Sequence, residues 1–156
     1  GEIGEIFLRS PMSAGYRYLG DAAPRGGTDD GFATVGDLGY LDADGYLFLV
    51  DRRVDLIVSG GANVYPAEVE TALVDHPAIA DIVVVGLRDA DWGRRVHAIV
   101  EPADPAAPPS GADVIAYARS RLAPYKVPKK VEIVDAIPRS EATKINRRAL
   151  VEARGG

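Results

Sequence analysis

The sequence changes its pattern near residues 51–55, DRRVD, and this change limits the folds that the chain can adopt. Before it, the chain is typical of strands and turns, and two apolar runs flank the turn sequence DADG at 42–45. After it, apolar runs typical of strands alternate with amphipathic segments typical of helices. We therefore predict an α+β fold, with a β-rich segment over 1–50 and a compact α+β domain, with a mixed sheet and about three helices, over 56–156.

Apolar periodicity, with the positions of proline and glycine, predicts the elements of the second domain. Strands are expected in LIVS, IADIVVVGL, RVHAIVEP and KVEIV, and helices in PAEVETALVDH, ADVIAYARSRL and INRRALVEA. Pro66 suits the first turn of the first helix, and Pro77 is expected to end it. We predict loops at GGANVYP and ADPAAPPSGAD, and an extended loop over residues 11–31.

Composition excludes several classes of function. The chain has 18 Lys and Arg against 23 Asp and Glu, and a net charge of −5 argues against a general nucleic-acid surface. The absence of cysteine excludes disulfides and a cysteine nucleophile, and is compatible with a cytoplasmic protein. No apolar run reaches the ~20 residues that span a bilayer. Because the first residue is glycine rather than methionine, we expect the chain to be part of a longer protein.

Two glycines and two histidines are candidate site residues, each with an ordinary alternative. Gly60 and Gly61 follow a predicted strand, where they could let a ligand approach the backbone or could form a plain turn. They belong to neither a G-x-G-x-x-G nor a Walker sequence. His76 and His97 lie in different predicted elements without other ligands at metal-binding spacing, so no metal site is predicted.

Three further positions suit nucleotide binding but have ordinary alternatives. Asp37, in VGDLG, could accept hydrogen bonds from vicinal hydroxyls, or it could form an Asx turn. Trp92 could stack on a planar base or cover the core. Tyr125 lies in LAPYKVPKK among three lysines, a pattern that suits a nucleotide or a solvated basic loop.

Taken together, three stretches resemble the adenylate-forming (AMP-binding) superfamily in their order and spacing. They are TVGDLGYLDADGYLFLVDRRVDLIVSGGANVYPAEVE, DADWG and LAPYKVPKKVEIVDAIPRSEATKINRRAL. The superfamily contains acyl-CoA synthetases, adenylation domains of peptide synthetases and luciferases, and SGGANVYPAEVE is most similar to fatty-acid and aryl acyl-CoA ligases. The resemblance covers essentially the whole chain. It implies the end of a large N-terminal domain, a hinge at 51–55, and a mobile C-terminal lid domain.

The resemblance implies roles in the adenylation step for three residues and a hinge for a fourth. Lys144 matches the catalytic lysine that enters the site during adenylation. Asp37 matches the residue that contacts the ATP ribose hydroxyls, and Arg52 matches a second contact near the nucleotide. Val54 falls at the hinge position, where the family usually has Lys or Asp. Two smaller departures are Val35, in place of threonine, and Thr143, in place of glycine.

The resemblance also implies a CoA site on the lid. Gly60 and Gly61 match the loop that lines the tunnel for the pantetheine arm of CoA. Trp92, Tyr125 and Lys129 match positions that hold the CoA nucleotide in some aryl-CoA ligases.

The activity implied by the resemblance is that of an AMP-forming acid–thiol ligase in fatty-acid or aryl-acid metabolism. Such an enzyme uses ATP with Mg²⁺ to convert a carboxylic acid into acyl-AMP and then transfers the acyl group to CoA. In the family the ATP phosphate loop, the acyl pocket and the Mg²⁺ site lie upstream of the part that this chain resembles, so the chain alone is expected to be inactive. Two alternatives remain open: an adenylation domain that loads a carrier protein, and a separate lid-like module that binds nucleotides or a protein partner.

Overall fold

The structure, a computed structural model, describes residues 1–9, 28–34, 36–140 and 144–156. It divides into two compact units, Gly1–Val54 and Asp55–Gly156. Most of the loop predicted over 11–31 lies outside the described residues, as do Val35 and Thr143. The assignment of 51–55 as a hinge concerns motion and stays a prediction.

The first unit contains a three-stranded antiparallel sheet in the order β1-β2-β3, with β1 at Gly4–Glu5, β2 at Asp37–Leu41 and β3 at Leu47–Arg52. Asp42 shapes the turn between β2 and β3, because its Oδ1 accepts hydrogen bonds from the backbone N–H groups of Asp44 and Tyr46 at 3.0 and 2.9 Å. Gly45 completes the turn with a φ of 85°. The predicted hairpin around DADG is therefore confirmed.

The second unit is built on a three-stranded mixed sheet and three helices. The sheet contains β6 at Ile79–Asp89, β7 at Gly93–Pro102 and β8 at Lys130–Ile133; β6 and β7 are antiparallel, and β7 and β8 are parallel. A separate hairpin is formed by β4 at Ile57–Ser59 and β5 at Ala62–Val64. The helices are α1 at Pro66–Leu73, α2 at Gly111–Arg119 and α3 at Arg147–Glu152. This arrangement confirms the predicted α+β fold.

Several details of the prediction were wrong, including the end of α2, which lies at Arg119 rather than Leu122, and the start of α3, which lies at Arg147 rather than Ile145. GGANVYP is not entirely a loop, because its residues 62–64 pair with β4 and only the glycines turn the chain. Helix α1 ends at Leu73 rather than at Pro77, and the backbone N–H of His76 then donates to the Leu73 carbonyl. Strands β6 and β7 are longer than predicted, because a short turn at residues 90–92 lets their pairing continue to the end.

The core lies on both faces of the mixed sheet, because alternate residues of a strand point to opposite sides. One face carries α1 and α2, and its buried hydrophobic residues from β6, β7 and these helices are Ile79, Ile82, Val84, Val96, Ala98, Val100, Val69, Leu73, Val114 and Ala118. The other face is covered by α3 and by the segment before it, with Val83, Val85, Leu87, Ile99, Ile137 and Leu150 buried.

None of the helices within the described residues is both long and apolar enough to span a membrane.

Candidate functional site

In the first unit, the structure brings Asp37 and Arg52 together at one end of the sheet. Asp37 begins β2 and lies opposite Arg52, the last residue of β3. The Arg52 Nε lies 3.5 Å from the Asp37 Oδ1. The Arg52 side chain is 69% exposed, so this ion pair contributes little to stability. An accessible carboxylate beside a guanidinium can accept hydrogen bonds from hydroxyl groups and attract an anion.

Val54, at the predicted hinge, is the last residue of the first unit and is 83% exposed. Its neighbour Arg53 is held in place, because its backbone N–H donates to the Gly36 carbonyl at 2.8 Å and its Nη1 lies 2.9 Å from Glu5 Oε2. An apolar side chain that is so exposed adds little packing energy of its own. A change in backbone torsion at Val54 would therefore break few side-chain contacts.

In the second unit, the two glycines form the turn between β4 and β5, and Trp92 lies against that turn. Gly60 and Gly61 have φ angles of 57° and 83°. The Gly60 N–H donates to the Trp92 carbonyl at 2.9 Å. A Cβ added to Gly60 would lie 2.7 Å from Trp92 Cε3, whereas one added to Gly61 would meet nothing within 4 Å. Glycine is thus required at position 60 by close packing as well as by the turn.

Lys129 lies over the ring of Trp92. Its Nζ is 4.5 Å from the centre of a Trp92 ring, and its backbone N–H donates to the Val96 carbonyl of β7 at 2.9 Å. The tryptophan is 42% exposed, so the pair is open to solvent. An exposed ring beside an ammonium group can bind a planar base and a phosphate together. Gly60, Trp92 and Lys129 therefore form one patch, which we call the tryptophan patch.

Asp89, which sequence reasoning missed, shapes the turn that presents Trp92. Its Oδ1 accepts hydrogen bonds from the backbone N–H groups of Asp91 and Trp92 at 3.1 and 3.2 Å. These bonds, first that from Asp91, lower the pKa of Asp89 together with nearby Arg95. An aspartate side chain commonly accepts a hydrogen bond from the backbone N–H two residues later, which forms an Asx turn. The sequence RDADWG therefore already indicated a turn formed by Asp89.

Tyr125 lies beside Lys126, whose Nζ is 5.5 Å from the centre of the tyrosine ring. Tyr125 is exposed, and Lys126 also binds Glu68 of α1, with the Nζ 2.5 Å from Oε1. Two of the three lysines of LAPYKVPKK therefore have different surroundings: Lys126 is paired with Glu68 of α1, while Lys129 lies over Trp92. The structure does not place Tyr125 in the tryptophan patch.

Lys144 is exposed, and its backbone pairs with Ser140. Its backbone N–H donates to Ser140 Oγ at 3.2 Å, and the Ser140 N–H donates to the Lys144 carbonyl at 2.9 Å. Arg139 and Ile145 extend this pairing by an antiparallel bridge. Two residues further on, Asn146 caps α3 by accepting a hydrogen bond from the Ala149 N–H at 3.1 Å. The backbone on the C-terminal side of Lys144 is thus fixed, while the ammonium group can extend outward.

A partly buried ionic network under α3 was also missed, since His97 was interpreted as an ordinary strand residue. His97 is only 2% exposed, and its Nε2 lies 3.1 Å from Glu132 Oε2. Arg154 binds the same carboxylate with its Nε and Nη2, both at 2.7 Å. Arg154 lowers the pKa of Glu132 to about 2, whereas burial lowers the pKa of His97 below its ordinary value. The network joins β7, β8 and the chain after α3.

This network predicts that the second unit loses stability in mild acid. Unfolded His97 takes up a proton as the pH falls through about 6.5, while the folded, buried imidazole resists protonation, so the free energy of unfolding decreases below that pH. Glu132 contributes to acid sensitivity only at lower pH, between its ordinary value of 4.5 and about 2. Urea unfolding at about pH 7.5 and about pH 5.5 should show this decrease in the wild type and a smaller one in His97→Gln. His76→Gln is the matched control and should retain the wild-type decrease; equal decreases in all three would contradict the prediction.

The exposed Lys144, the glycine turn and the tryptophan patch all lie on the second unit, which is built on a mixed sheet and three helices. Residues 68–144 match the AMP-binding enzyme C-terminal domain. This match confirms the predicted resemblance to the adenylate-forming (AMP-binding) superfamily. Within the described residues, no group of His, Asp and Glu side chains is arranged to hold a metal ion.

The comparisons with individual proteins cover nearly all of this chain. It is 41% identical over 155 residues to the 2-succinylbenzoate–CoA ligase of Bacillus subtilis (strain 168), which includes 99% of this chain and 31% of the relative. The solved o-succinylbenzoate CoA synthetase of Bacillus subtilis, in complex with its acyl-adenylate intermediate, has a TM-score of 0.84 at 40% identity, with 96% of this chain and 30% of that chain covered. An amide bond synthetase from Marinactinospora thermotolerans has a TM-score of 0.79 at 34% identity, with coverages of 99% and 31%. The chain thus spans less than a third of the length of these relatives.

Proposed function

We propose that this chain works as the C-terminal part of an AMP-forming acid–thiol ligase, an acyl-CoA synthetase that uses ATP, a carboxylic acid and CoA. The observation that carries the proposal is the tryptophan patch, in which Lys129 lies 4.5 Å from the Trp92 ring beside the Gly60 turn. This patch offers a surface for a planar base and a phosphate group next to a bare backbone turn. Because the proposed substrates ATP and CoA are cytoplasmic, we also propose a cytoplasmic location.

In the proposed first step, the substrate carboxylate attacks the α-phosphorus of ATP, pyrophosphate leaves, and acyl-AMP forms. Two anions must meet, so a cation placed at the developing negative charge lowers the barrier. Lys144 is proposed for this role because a compact ammonium group on a long, flexible stem can reach from a lid into a site. Asp37 accepts hydrogen bonds from the ribose hydroxyls, and Arg52 contacts the nucleotide beside it. Mg²⁺ would enter bound to ATP, and none of the described residues is proposed as its ligand.

In the proposed second step, the CoA thiolate attacks the acyl carbonyl, and AMP leaves as the thioester forms. The lid first rotates about Val54, which withdraws Lys144 and presents the turn of Gly60 and Gly61. A hinge needs only residues that absorb a change in φ and ψ, which exposed Val54 can do. The glycine turn, which has no side chains, then leaves space for the narrow pantetheine arm.

The acyl acceptor separates this proposal from its alternatives. The structural similarity to an amide bond synthetase favours, as a second candidate, an enzyme that transfers the acyl group from acyl-AMP to an amine. A carrier protein is a third acceptor. Both alternatives keep the roles of Lys144 and Asp37, whereas only CoA would use the tryptophan patch for a nucleotide.

The proposed function predicts that this chain is inactive alone and active when joined to a suitable N-terminal part. Incubated with ATP, Mg²⁺ and a panel of carboxylic acids that includes 2-succinylbenzoate, the chain should release no pyrophosphate above a Lys144→Ala control. A chimera in which the chain replaces the matching 31% of the Bacillus subtilis ligase should form a CoA thioester. Sustained turnover by the isolated chain, or a stable chimera that makes no acyl-AMP, would contradict the proposal.

Variants of the tryptophan patch are expected to affect CoA and not the acid. In the full-length enzyme, Trp92→Ala and Lys129→Ala should each raise the KM for CoA about tenfold, the scale of one stacking or cation–π contact of about 1.4 kcal/mol. Pyrophosphate exchange should stay near the wild-type rate. Lys130→Ala removes a neighbouring exposed lysine and serves as the control. Unchanged CoA kinetics in both patch variants would favour an amine or a carrier protein as the acceptor.

A further inference from the structure

Arg147, the first residue of α3, joins the segment of Lys144 to two carboxylates elsewhere in the second unit. Its Nη2 donates hydrogen bonds to both oxygens of Glu70 in α1, at 2.8 and 2.9 Å. Its Nη1 lies 3.8 Å from Asp55 Oδ2, at the start of the unit. The three side chains are only about a fifth to a quarter exposed. Partly buried, charge-assisted hydrogen bonds of this kind are stronger and more directional than surface pairs.

Glu70 is itself held firmly, so it can act as a fixed partner for Arg147. Its Oε1 accepts a hydrogen bond at 2.8 Å from the backbone N–H of Val84, in the middle of β6. Since β6 is an edge strand of its sheet, this bond occupies an N–H group on the side away from β7. The helix that carries Glu70 packs into the core through Val69 and Leu73. Arg147 is therefore attached to a helix and a strand that are both fixed by the core.

The next residue, Arg148, shows that charge alone does not explain this arrangement. Its side chain is 88% exposed and binds Glu152, one turn further along α3, at 2.7 Å. An exposed pair at this spacing contributes little to stability. Two adjacent arginines thus have different environments, one attached to the body of the unit and one on its surface. Arg148 is a matched control for Arg147.

We propose that Arg147 is a positioning residue for Lys144, an inference that rests on the proposed function. Only two residues separate them, and Ile145, the first of these, packs against the buried cluster under α3. On its other side, Lys144 is held by the two hydrogen bonds between its backbone and Ser140. Arg147 therefore fixes the end of a short segment that presents the lysine. Small misplacements of a catalytic group slow a reaction strongly, so this attachment matters for adenylation.

The test separates the two half-reactions in the full-length enzyme. Arg147→Met, which keeps the length but removes the charge, should slow acyl-AMP formation about tenfold. Thioester formation from supplied acyl-AMP should stay within about twofold of wild type, because Lys144 is withdrawn in that step. Arg147→Lys keeps the charge without the fork to Glu70 and should give an intermediate rate. Arg148→Met should change neither half-reaction.

Two further measurements distinguish positioning from general destabilisation and from failure of the proposed function. Glu70→Gln keeps a side-chain oxygen that can accept the hydrogen bond from the Val84 N–H. Added to Arg147→Met, it should lower the rate of acyl-AMP formation little further, since both changes break the same interaction between Arg147 and Glu70. Hydrogen exchange over residues 144–150 should be faster in Arg147→Met than in Arg148→Met, whatever reaction the enzyme catalyses. Equal losses in both half-reactions, unchanged adenylation in Arg147→Met, or unchanged exchange would each overturn the proposal. A wild type that forms no acyl-AMP but shows the exchange difference would overturn the proposed function and leave the attachment of the segment established.

Discussion

Replacing Lys144 with alanine should reduce acyl-AMP formation in the full-length enzyme by roughly 10²–10³-fold, the scale of removing one preorganised stabilising group. Thioester formation from supplied acyl-AMP should remain close to wild type. The asymmetry is expected because the ammonium group counters charge that develops only when the carboxylate attacks ATP. Pyrophosphate exchange measures the first half-reaction, and the release of AMP after addition of CoA to acyl-AMP measures the second.

Two substitutions give this prediction its controls. Lys144→Arg should recover only part of the activity, because a planar guanidinium replaces a compact point charge. Arg148→Ala removes a nearby exposed charge of the same sign and should have no effect on either half-reaction. If both half-reactions fall together in Lys144→Ala, the lysine is structural or the lid does not rotate about Val54. If neither falls, Lys144 is a surface charge.

The larger elements could be predicted because local signals agree with the fold. Asp42 and Gly45 specify the hairpin turn through an Asx-type pair of hydrogen bonds and a positive φ, which are properties of these residues themselves. Pro66 marks the start of α1 for a similar reason. Strand β5 was missed because three residues do not show a period, and its pairing with β4 depends on the glycine turn. Local patterns are thus reliable where a residue's own conformation decides the outcome.

The site could be predicted less completely, because its contacts join distant parts of the chain. The resemblance assigns Trp92 and Lys129 to one site, but no local pattern around either residue indicates that the lysine lies over the ring. That contact depends on the β6–β7 turn and the start of β8 meeting at one end of the sheet. In the same way, composition cannot distinguish Arg147 from Arg148, although the first binds Glu70 and the second is exposed. Charge and residue type give candidates, and tertiary packing selects among them.

Gly60→Ala should lower kcat/KM for CoA by roughly 10²-fold, the second largest effect expected, because the clash would misplace the turn as well as the Trp92 ring, whereas Trp92→Ala removes the ring alone. That Cβ would lie 2.7 Å from Trp92 Cε3, closer than van der Waals contact permits. Adenylation should change little, since Lys144 belongs to a different segment. Steady-state kinetics with varied CoA, together with pyrophosphate exchange, would measure both effects.

Gly61→Ala is the matched control for this substitution. Gly61 also has a positive φ, but a Cβ added there would meet nothing within 4 Å. It introduces backbone strain without the clash and should have the smaller effect on CoA kinetics. In a Trp92→Ala background the clash is absent, so Gly60→Ala should then cost no more than Gly61→Ala. This non-additivity follows only if Gly60 and Trp92 act as one unit. Equal effects of the two glycine substitutions with Trp92 present would show that turn conformation, and not the packing of the tryptophan on Gly60, determines how the lid receives CoA.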